Sequence, residues 1–135
     1  MILSILTPVR NFYTGEIKSV SLETKDGKLV IQPRYAPFVC SLVDGIATIT
    51  TASDEKIVAS IMSGFAEVIN DKVTILTDSA ELPDDVDDNR AVLAKERAKQ
   101  RLLAVKNEEE IDRERALKAL TRAEIRIKLK LLNKK

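Results

Sequence analysis

Glycine, proline and aromatic residues are confined to the first 83 positions of this 135-residue chain, and this asymmetry constrains the fold more than any other feature. The four glycines, four prolines and five aromatic residues all lie at or before Pro83. Glycine and proline break regular structure at turns, whereas their absence suits long helices. The sequence therefore predicts a turn-rich domain over residues 1–83 and a helical region over 84–135, joined at the acidic run 84–88.

Short β-branched segments recur at close intervals before that boundary, which is typical of β-strands. The predicted strands are 1–6, 16–23, 28–32, 46–50, 56–62, 65–69 and 73–77. Asp26-Gly27 and Asn70-Asp71 are two-residue turn candidates, and Ser53-Asp54-Glu55 is a longer one. Since no helix is predicted between these strands, we expect them to be antiparallel and to form a small β-sandwich or barrel.

Two helical stripes follow the boundary, because small apolar residues step by three and four positions. The predicted inner seam of an antiparallel two-helix hairpin consists of Ala91, Ala94, Ala98, Leu102 and Val105 on the first helix and of Ala116, Leu120, Ala123, Ile127 and Leu131 on the second. Asp85 or Asp87 is expected to cap the first helix, and Asn107 to end it.

The seam is rich in alanine, so each of its contacts buries little apolar surface. The free energy gained in this way is small compared with the conformational entropy lost when the chain is ordered. We therefore expect a marginally held hairpin. The larger apolar residues are predicted to lie off the seam, as a second surface for the β-domain or another protein. They are Leu93, Leu103, Ile111, Leu117, Ile125, Leu129 and Leu132.

Charge is distributed unevenly along the chain. Residues 1–90 carry 8 basic and 14 acidic side chains, whereas residues 91–135 carry 14 basic and 7 acidic ones. Net charges of −6 and +7 thus underlie the overall +1. We expect a basic hairpin beside an acidic β-domain that repels polyanions.

The usual catalytic and metal-binding constellations are missing from the sequence. It has no histidine, a single cysteine, no Gly-rich phosphate loop and no serine in a nucleophile-elbow setting. The carboxylates at 84–88 suit a solvated capping cluster better than an acid/base pair or a cation site. Cys40, among apolar neighbours, is predicted to be a buried small hydrophobe. The sequence predicts a non-catalytic protein with no metal site and no required cofactor.

An ordered series of short motifs covers nearly the whole chain. It comprises Leu6-Thr7-Pro8, Gly15-Glu16-Ile17, residues 27–37 (GKLVIQPRYAP), Leu42-Val43-Asp44-Gly45, residues 63–68 (SGFAEV), Val73-Thr74-Ile75-Leu76 and Ala80-Glu81. With the helical tail, this series resembles the epsilon subunits of rotary F-type ATP synthases, of the bacterial type. One family pattern, Gly-Ile-Leu-Pro-x-His-Ala-Pro, is altered, because Val30, Gln32 and Tyr35 replace its Gly, Leu and His.

The resemblance implies a β-sandwich followed by a helical hairpin, in a rotor subunit that performs no chemistry. In that family the sandwich binds the foot of the gamma stalk beside the membrane ring of c subunits and transmits torque. The expected location is peripheral, at the cytoplasmic face of the bacterial inner membrane, with membrane contact only through the complex.

In bacterial members of the family, the hairpin can extend along gamma and block ATP hydrolysis by placing basic residues against acidic segments of the catalytic alpha/beta head. The candidates for such contacts here are Arg113, Arg115, Lys118, Arg122, Arg126, Lys128 and Lys130. Their positive charge would be steered towards an acidic partner. Alternatively, they form a solvated helix face with local pairs such as Glu114 to Lys118.

Some bacterial relatives bind ATP on the folded hairpin, through an Ile/Leu-Asp-x-x-Arg-Ala motif and arginines of the second helix. Residues 86–91 (VDDNRA) match that motif with valine at its first position. The residues that the resemblance implies for ATP are Glu81, Asp87, Arg90, Arg122 and Arg126. ATP would then be a regulatory ligand and never a substrate. Alternatively, the aspartate caps the first helix and the arginines pair with carboxylates across the hairpin.

Two other classes of function compete with this reading. A basic helix pair could neutralise the phosphates of a nucleic acid, but this hairpin has no aromatic residues for stacking on bases, and the β-domain is acidic. We therefore expect no nucleic-acid partner. A generic adaptor that docks a partner through the β-domain is the second alternative, and the identity of its partner separates it from a rotor subunit.

Overall fold

A computed structural model describes residues 1–104 and 110–132 of the chain, with only the backbone described for 110–112. The chain divides into two compact units, Met1–Leu82 and Pro83–Lys135. The predicted seam position of Val105 and the predicted helix end at Asn107 lie outside the described residues, as does the side chain of Ile111.

The first unit contains nine β-strands in two layers. They are β1 (Ile2–Leu6), β2 (Asn11–Thr24), β3 (Gly27–Ile31), β4 (Phe38–Leu42), β5 (Gly45–Thr51), β6 (Lys56–Met62), β7 (Gly64–Ile69), β8 (Lys72–Leu76) and β9 (Ser79–Glu81). One layer has the order β4-β7-β8-β1-β2, and the other is formed by β2 with β3 and β5, followed by β6 and β9. The long strand β2 joins the layers, since its first half pairs with β1 and its second half with β3 and β5.

The two layers enclose one hydrophobic core. Side chains alternate between buried and accessible along β1, β5, β7 and β8, as expected for sheets with one face packed inwards. The core includes Leu3, Ile5, Val68, Val73 and Ile75 from one layer and Val20, Leu22, Ile31, Ile49 and Ile61 from the other. This arrangement confirms the predicted β-sandwich followed by two helices.

The strand predictions need four corrections. One pairing, β1 with β8, is parallel, because these strands are distant in sequence and no hairpin connects them. Strand β4 was not predicted because it directly follows the Pro-rich segment 33–37, and β9 was missed because it has only three residues. Strand β2 begins at Asn11 rather than near residue 16, and Gly15 lies in its interior.

Two of the predicted turns contain residues that tolerate a left-handed backbone. Asn70 and Asp71 have φ values of 49° and 60°, as the predicted two-residue turn between β7 and β8 requires. The first hairpin differs from the prediction by one position: its turn residues are Lys25 and Asp26, and Gly27, with φ of 117°, begins β3. The longer turn contains Asp54, with φ of 67°.

The second unit is a helical hairpin preceded by a short 3-10 helix, Pro83–Asp85. Helix α1 spans Asp88–Ala104 and helix α2 spans Glu110–Leu132, and the two pack against each other. Asp87 caps α1, because its carboxylate accepts a hydrogen bond from the Arg90 N–H (3.1 Å) and its carbonyl from the Ala91 N–H (2.9 Å). Of the two predicted caps, Asp87 is therefore the correct one.

The seam agrees with the prediction at its alanines and differs at the end of α2. Ala91, Ala98, Ala116 and Ala123 are buried, and Ala94, Leu102, Leu120 and Ile127 are half-buried. Leu131 is 61% exposed, so its assignment to the seam is wrong, and Leu129 is fully buried, so its assignment to the outer surface is wrong. The stripe drifts around the helix because 3.6 residues per turn does not match a strict three-four spacing over four turns.

Neither described helix contains a stretch that is long and apolar enough to cross a bilayer.

Candidate functional site

The β-domain has an exposed apolar sheet face. It lies on the side of the layer β4-β7-β8-β1 that points away from the core, and we call it the apolar face. Its members are Ile2, Val39, Phe65, Ile69 and Leu76, each between 46% and 65% exposed. Phe65 is directly opposite Leu76 across β7 and β8, so their side chains are neighbours.

The register accounts for this clustering. Ile69 faces Lys72 on β8, and Lys72 faces Ile2 on β1, so the same outward face continues across three strands. Val39 of β4 lies opposite Glu67, two residues from Phe65 on the same face of β7. Glu67 and Lys72 lie on the same face among these apolar residues. Several exposed large apolar side chains on one sheet face are typical of a surface that another protein covers.

A loop at one end of the sandwich carries two of the altered family positions, Gln32 and Tyr35. Arg34 in this loop has a left-handed backbone (φ 67°), and its N–H donates a 2.7 Å hydrogen bond to the Asp71 carboxylate. The Tyr35 ring lies 5.1 Å from that of Phe38. The loop is thus tied to the turn between β7 and β8 and to the start of β4.

The candidate ATP-binding residues are divided between the two units. Glu81 is in the β-domain, half-buried on β9, where it pairs with Ser60 of β6. Asp87 and Arg90 are exposed at the start of α1, and the carboxylate of Asp87 is engaged as the helix cap. The capping role that the alternative reading assigned to this aspartate is therefore observed.

The two remaining candidates lie on one face of α2. Arg122 and Arg126 are four residues apart, hence one turn apart, and both are half-buried. Leu129, three residues further, continues the same face and is fully buried. Two guanidinium groups on one partly buried face favour the approach of an anion or a carboxylate.

The candidate inhibitory residues divide into an exposed and a half-buried group. Arg113, Arg115, Lys118 and Lys128 are exposed, whereas Arg122, Arg126 and Lys130 are half-buried. The ammonium group of Lys130 donates a 3.0 Å hydrogen bond to the carbonyl oxygen of Pro83. Basic side chains at the start of α2 therefore face solvent in this state, and Lys130 near its end is already engaged.

A shallow groove of about 390 Å³ runs between the two helices. Its polar lining residues are Lys95, Thr121, Glu124 and Lys128, and three apolar residues of α2 complete it. The five candidate ATP-binding residues are not among those that line it. The groove and the arginine pair are therefore separate features of the hairpin.

The described part of the chain offers no group of three or more cysteine, aspartate or glutamate side chains placed to hold a metal ion. Cys40 is half-buried against the core, opposite Ala66, which agrees with its predicted packing role although its burial is only partial. Burial raises the pKa of the Cys40 thiol above its ordinary value, and a backbone hydrogen bond with Ala66 opposes this effect. The thiol is therefore a poor nucleophile near neutral pH.

Two functional features were missed in the sequence. The apolar face could have been found from β7 and β8, since the segments GFAEVI and KVTIL carry apolar residues on both alternating faces. The contact of Lys130 with Pro83 had no sequence signal, because its acceptor is a backbone carbonyl that every residue type has.

Comparison with known proteins gives the same family as the motifs. Residues 1–83 match the family model of the β-sandwich domain of the ATP synthase delta/epsilon chain. An ATP synthase epsilon chain of Halalkalibacterium halodurans is 42% identical over 93% of this chain and 92% of its own length. One from Clostridium botulinum (strain Eklund 17B) is 39% identical over 98% and 96%.

Solved structures support the fold. A chain in the Euglena gracilis mitochondrial ATP synthase superimposes with a TM-score of 0.80 at 22% identity, covering 92% of this chain and 77% of its own. A chain of the Tetrahymena thermophila enzyme does so with a TM-score of 0.63 at 14% identity, covering 96% of both. Since the family model spans more than half of the sequence and the bacterial relatives align along nearly all of it, this chain belongs to the epsilon subunits of F-type ATP synthases, which are non-catalytic.

Proposed function

We propose that the chain is a rotor-stalk subunit that couples the gamma subunit to the membrane c-ring, and that its hairpin inhibits ATP hydrolysis under the control of bound ATP. The observation that carries the coupling role is the apolar face of the β-domain. The structural relatives point in the same direction, since they come from assemblies described as F1/c-ring and as central stalk/c-ring. Such a complex would hold the chain at the cytoplasmic face of the membrane, without membrane contact of its own.

The apolar face has the composition of a protein interface. Phe65 and Leu76 lie side by side and half-exposed, and an aromatic anchor with aliphatic neighbours is the usual centre of a binding surface. The face is built on hydrogen-bonded strands over a packed core, so it loses little conformational entropy when a partner covers it. This combination suits a permanent contact with gamma that transmits torque.

The experiment for the coupling role is a binding measurement with the gamma–c-ring subcomplex of the same source. Phe65→Glu should weaken binding at least tenfold, because it places a charge in the buried centre of the contact. Val30→Glu is the matched control, since Val30 is exposed to a similar degree on β3, outside the apolar face. Equal binding of both variants would show that gamma docks elsewhere, provided that both retain the circular dichroism spectrum of the parent.

The inhibitory role rests on the exposed basic residues of α2. Arg113, Arg115 and Lys118 lie within six positions and all face solvent. Exposed positive charges increase the rate of encounter with an acidic surface, and they contribute more to the orientation of the complex than to its affinity. Acidic segments of the catalytic head are the proposed target, reached when the hairpin extends.

Inhibition is tested with ATP hydrolysis by the epsilon-depleted catalytic head of the same source. The full chain should inhibit, and a chain that ends at Asp85 should bind without inhibiting. A triple variant, Arg113→Gln, Arg115→Gln and Lys118→Gln, should lose most of the inhibition. The matched control neutralises three exposed residues of α1, Arg97, Lys99 and Arg101. If the control loses as much inhibition, only net charge matters and the α2 contact is wrong.

The regulatory role of ATP rests on the arginine pair of α2. Arg122 and Arg126 lie one turn apart on one face of α2, so a phosphate group placed between them would accept charge-assisted hydrogen bonds from both guanidinium groups. A ligand that binds only the folded hairpin stabilises it in proportion to the logarithm of its concentration. ATP would therefore keep the hairpin folded when it is abundant and release the inhibitor when it is scarce.

Titration of ATP into the isolated full chain tests this site. The parent should bind, and Arg126→Ala should reduce the affinity at least tenfold. Arg115→Ala, at the exposed start of α2, is the control and should bind like the parent. An unchanged affinity of Arg126→Ala would rule out the arginine pair as the nucleotide site.

A further inference from the structure

The geometry points to Lys130 as a clasp that holds the end of α2 against the base of the hairpin and so sets how often the hairpin opens. This inference rests on the proposed function only for its consequence in the complex. The contact itself belongs to the isolated chain. The family motifs attribute to Lys130 nothing beyond a place among the basic residues of α2.

The contact joins residues that are 47 positions apart. The Lys130 ammonium donates to the Pro83 carbonyl oxygen at 3.0 Å, and the same oxygen accepts the Val86 N–H at 3.2 Å. Pro83 and Val86 are both buried. The carbonyl thus uses both of its lone pairs, one within the 3-10 helix and one for the clasp.

The position of this bond makes it important for the stability of the folded hairpin. Lys130 lies in the last turn of α2, and Pro83 lies before the first residue of α1, so the bond closes the open end of the helix pair. The remaining contacts along the seam are mostly alanines, each of which contributes little. A hydrogen bond from a charged donor to a buried carbonyl is stronger than a neutral one.

The clasp changes the role of Lys130 in inhibition. While the hairpin is folded, its ammonium group is occupied, and the group becomes available to the catalytic head only after α2 has left Pro83. Lys130 is therefore a positioning residue that favours the folded state. Its removal should increase the fraction of open hairpins, whereas removal of an exposed lysine of α2 should not.

The test is amide hydrogen exchange of the isolated full chain, measured over residues 113–132. In Lys130→Met we expect exchange through hairpin opening to be about 3- to 10-fold faster than in the parent, because a half-buried charged hydrogen bond is lost. Lys128→Met removes the same charge from an exposed position of the same helix and should exchange like the parent. Lys130→Arg retains a charged donor and should stay within about twofold of the parent.

Two readouts separate this inference from the proposed function. If Lys130→Met and Lys128→Met exchange at the same rate, the clasp is wrong, whatever the hairpin does to ATP hydrolysis. If Lys130→Met opens faster and yet the parent chain fails to inhibit the catalytic head, the clasp stands and the inhibitory function is wrong. If Lys130→Arg exchanges as fast as Lys130→Met, the bond to Pro83 does not hold the hairpin.

Discussion

The two units of this chain differ in what fills their interiors. The β-domain buries large aliphatic side chains completely, including Leu3, Ile5, Leu22, Ile31 and Ile75. In the hairpin unit, the buried apolar side chains that the structure describes are Pro83, Val86, Ala91, Ala98, Ala116, Ala123 and Leu129, and four of these seven are alanines. One unit is held mainly by bulky aliphatic side chains and the other mainly by small ones.

This difference separates the tasks that each unit can perform. Full burial of a Val, Leu or Ile side chain stabilises a fold by about 1.5–3 kcal/mol, whereas a single buried methyl group contributes about 0.8 kcal/mol. A body of the first kind keeps its shape when a partner exerts force on it. A hairpin of the second kind loses less free energy when its helices separate, as the proposed inhibitory role requires.

The largest expected effect lies in the sandwich core. Ile75→Ala should lower the free energy of unfolding of the β-domain by about 2–5 kcal/mol, because it leaves a cavity among completely buried neighbours. Urea denaturation of the full chain measures the loss. Unfolding of the β-domain, residues 1–82, is followed by circular dichroism at the β-sheet minimum. Ile69→Ala, on the exposed apolar face, is the control and should lose less than about 1 kcal/mol. Equal losses at both positions would show that the buried core does not stabilise the β-domain more than the exposed apolar face does.

A smaller effect is expected when the seam is overfilled. Ala116→Leu should destabilise the folded hairpin by about 1–3 kcal/mol, since the added atoms have no space between the helices. Hydrogen exchange in α1 and α2 should accelerate, and exchange in the β-strands should not change. Ala119→Leu adds the same atoms at an exposed position and should leave both units unaffected. If Ala116→Leu slows exchange instead, the seam has room, and the close-packing argument is wrong.

Removal of the helix cap should have a smaller effect on the stability of the hairpin. Asp87→Ala removes the acceptor for the Arg90 N–H and should destabilise the start of α1 by about 1 kcal/mol. Asp84→Ala, in the 3-10 helix, removes an equal charge without removing this cap. If hydrogen exchange at the first turn of α1 is faster in Asp87→Ala but not in Asp84→Ala, the cap contributes to the stability of the hairpin through this local contact.

The smallest effect is expected on the surface of the sandwich. The Lys18 ammonium lies 2.7 Å from the Asp54 carboxylate, but both side chains are more than half exposed. Lys18→Met should therefore change the stability of the β-domain by less than about 1 kcal/mol, because water and salt screen such pairs. A larger loss in urea denaturation would show that the core is not the main source of its stability.

The sequence predicted the architecture because the signals that determine it are local. The end of the Gly, Pro and aromatic residues at Pro83 marks the change from strands to helices, and Asn70 and Asp71 could be recognised as a hairpin turn. The parallel pairing of β1 with β8 was not predictable in this way, since it brings together residues about 70 positions apart. Partner choice between distant strands depends on the whole sheet and not on either segment.

The candidate site was predictable to a lesser degree. The resemblance supplied the arginines of α2, and the structure places Arg122 and Arg126 on one helical face. Leu129 and Leu131 were assigned to the wrong sides because two residues differ by 200° around a helix, so a small drift of the stripe exchanges inside and outside. The apolar face was overlooked because Phe65 and Leu76 were counted only as residues of strands.

The alanine seam also has a thermal consequence. The heat capacity change of a transition grows with the apolar surface that it exposes, and separating two helices along small side chains exposes little. Opening of the hairpin should then have an enthalpy that is nearly independent of temperature, whereas unfolding of the sandwich should not. The logarithm of the ratio of open to folded hairpins should therefore vary almost linearly with inverse temperature, while the sandwich keeps the curved stability profile of an ordinary globular domain.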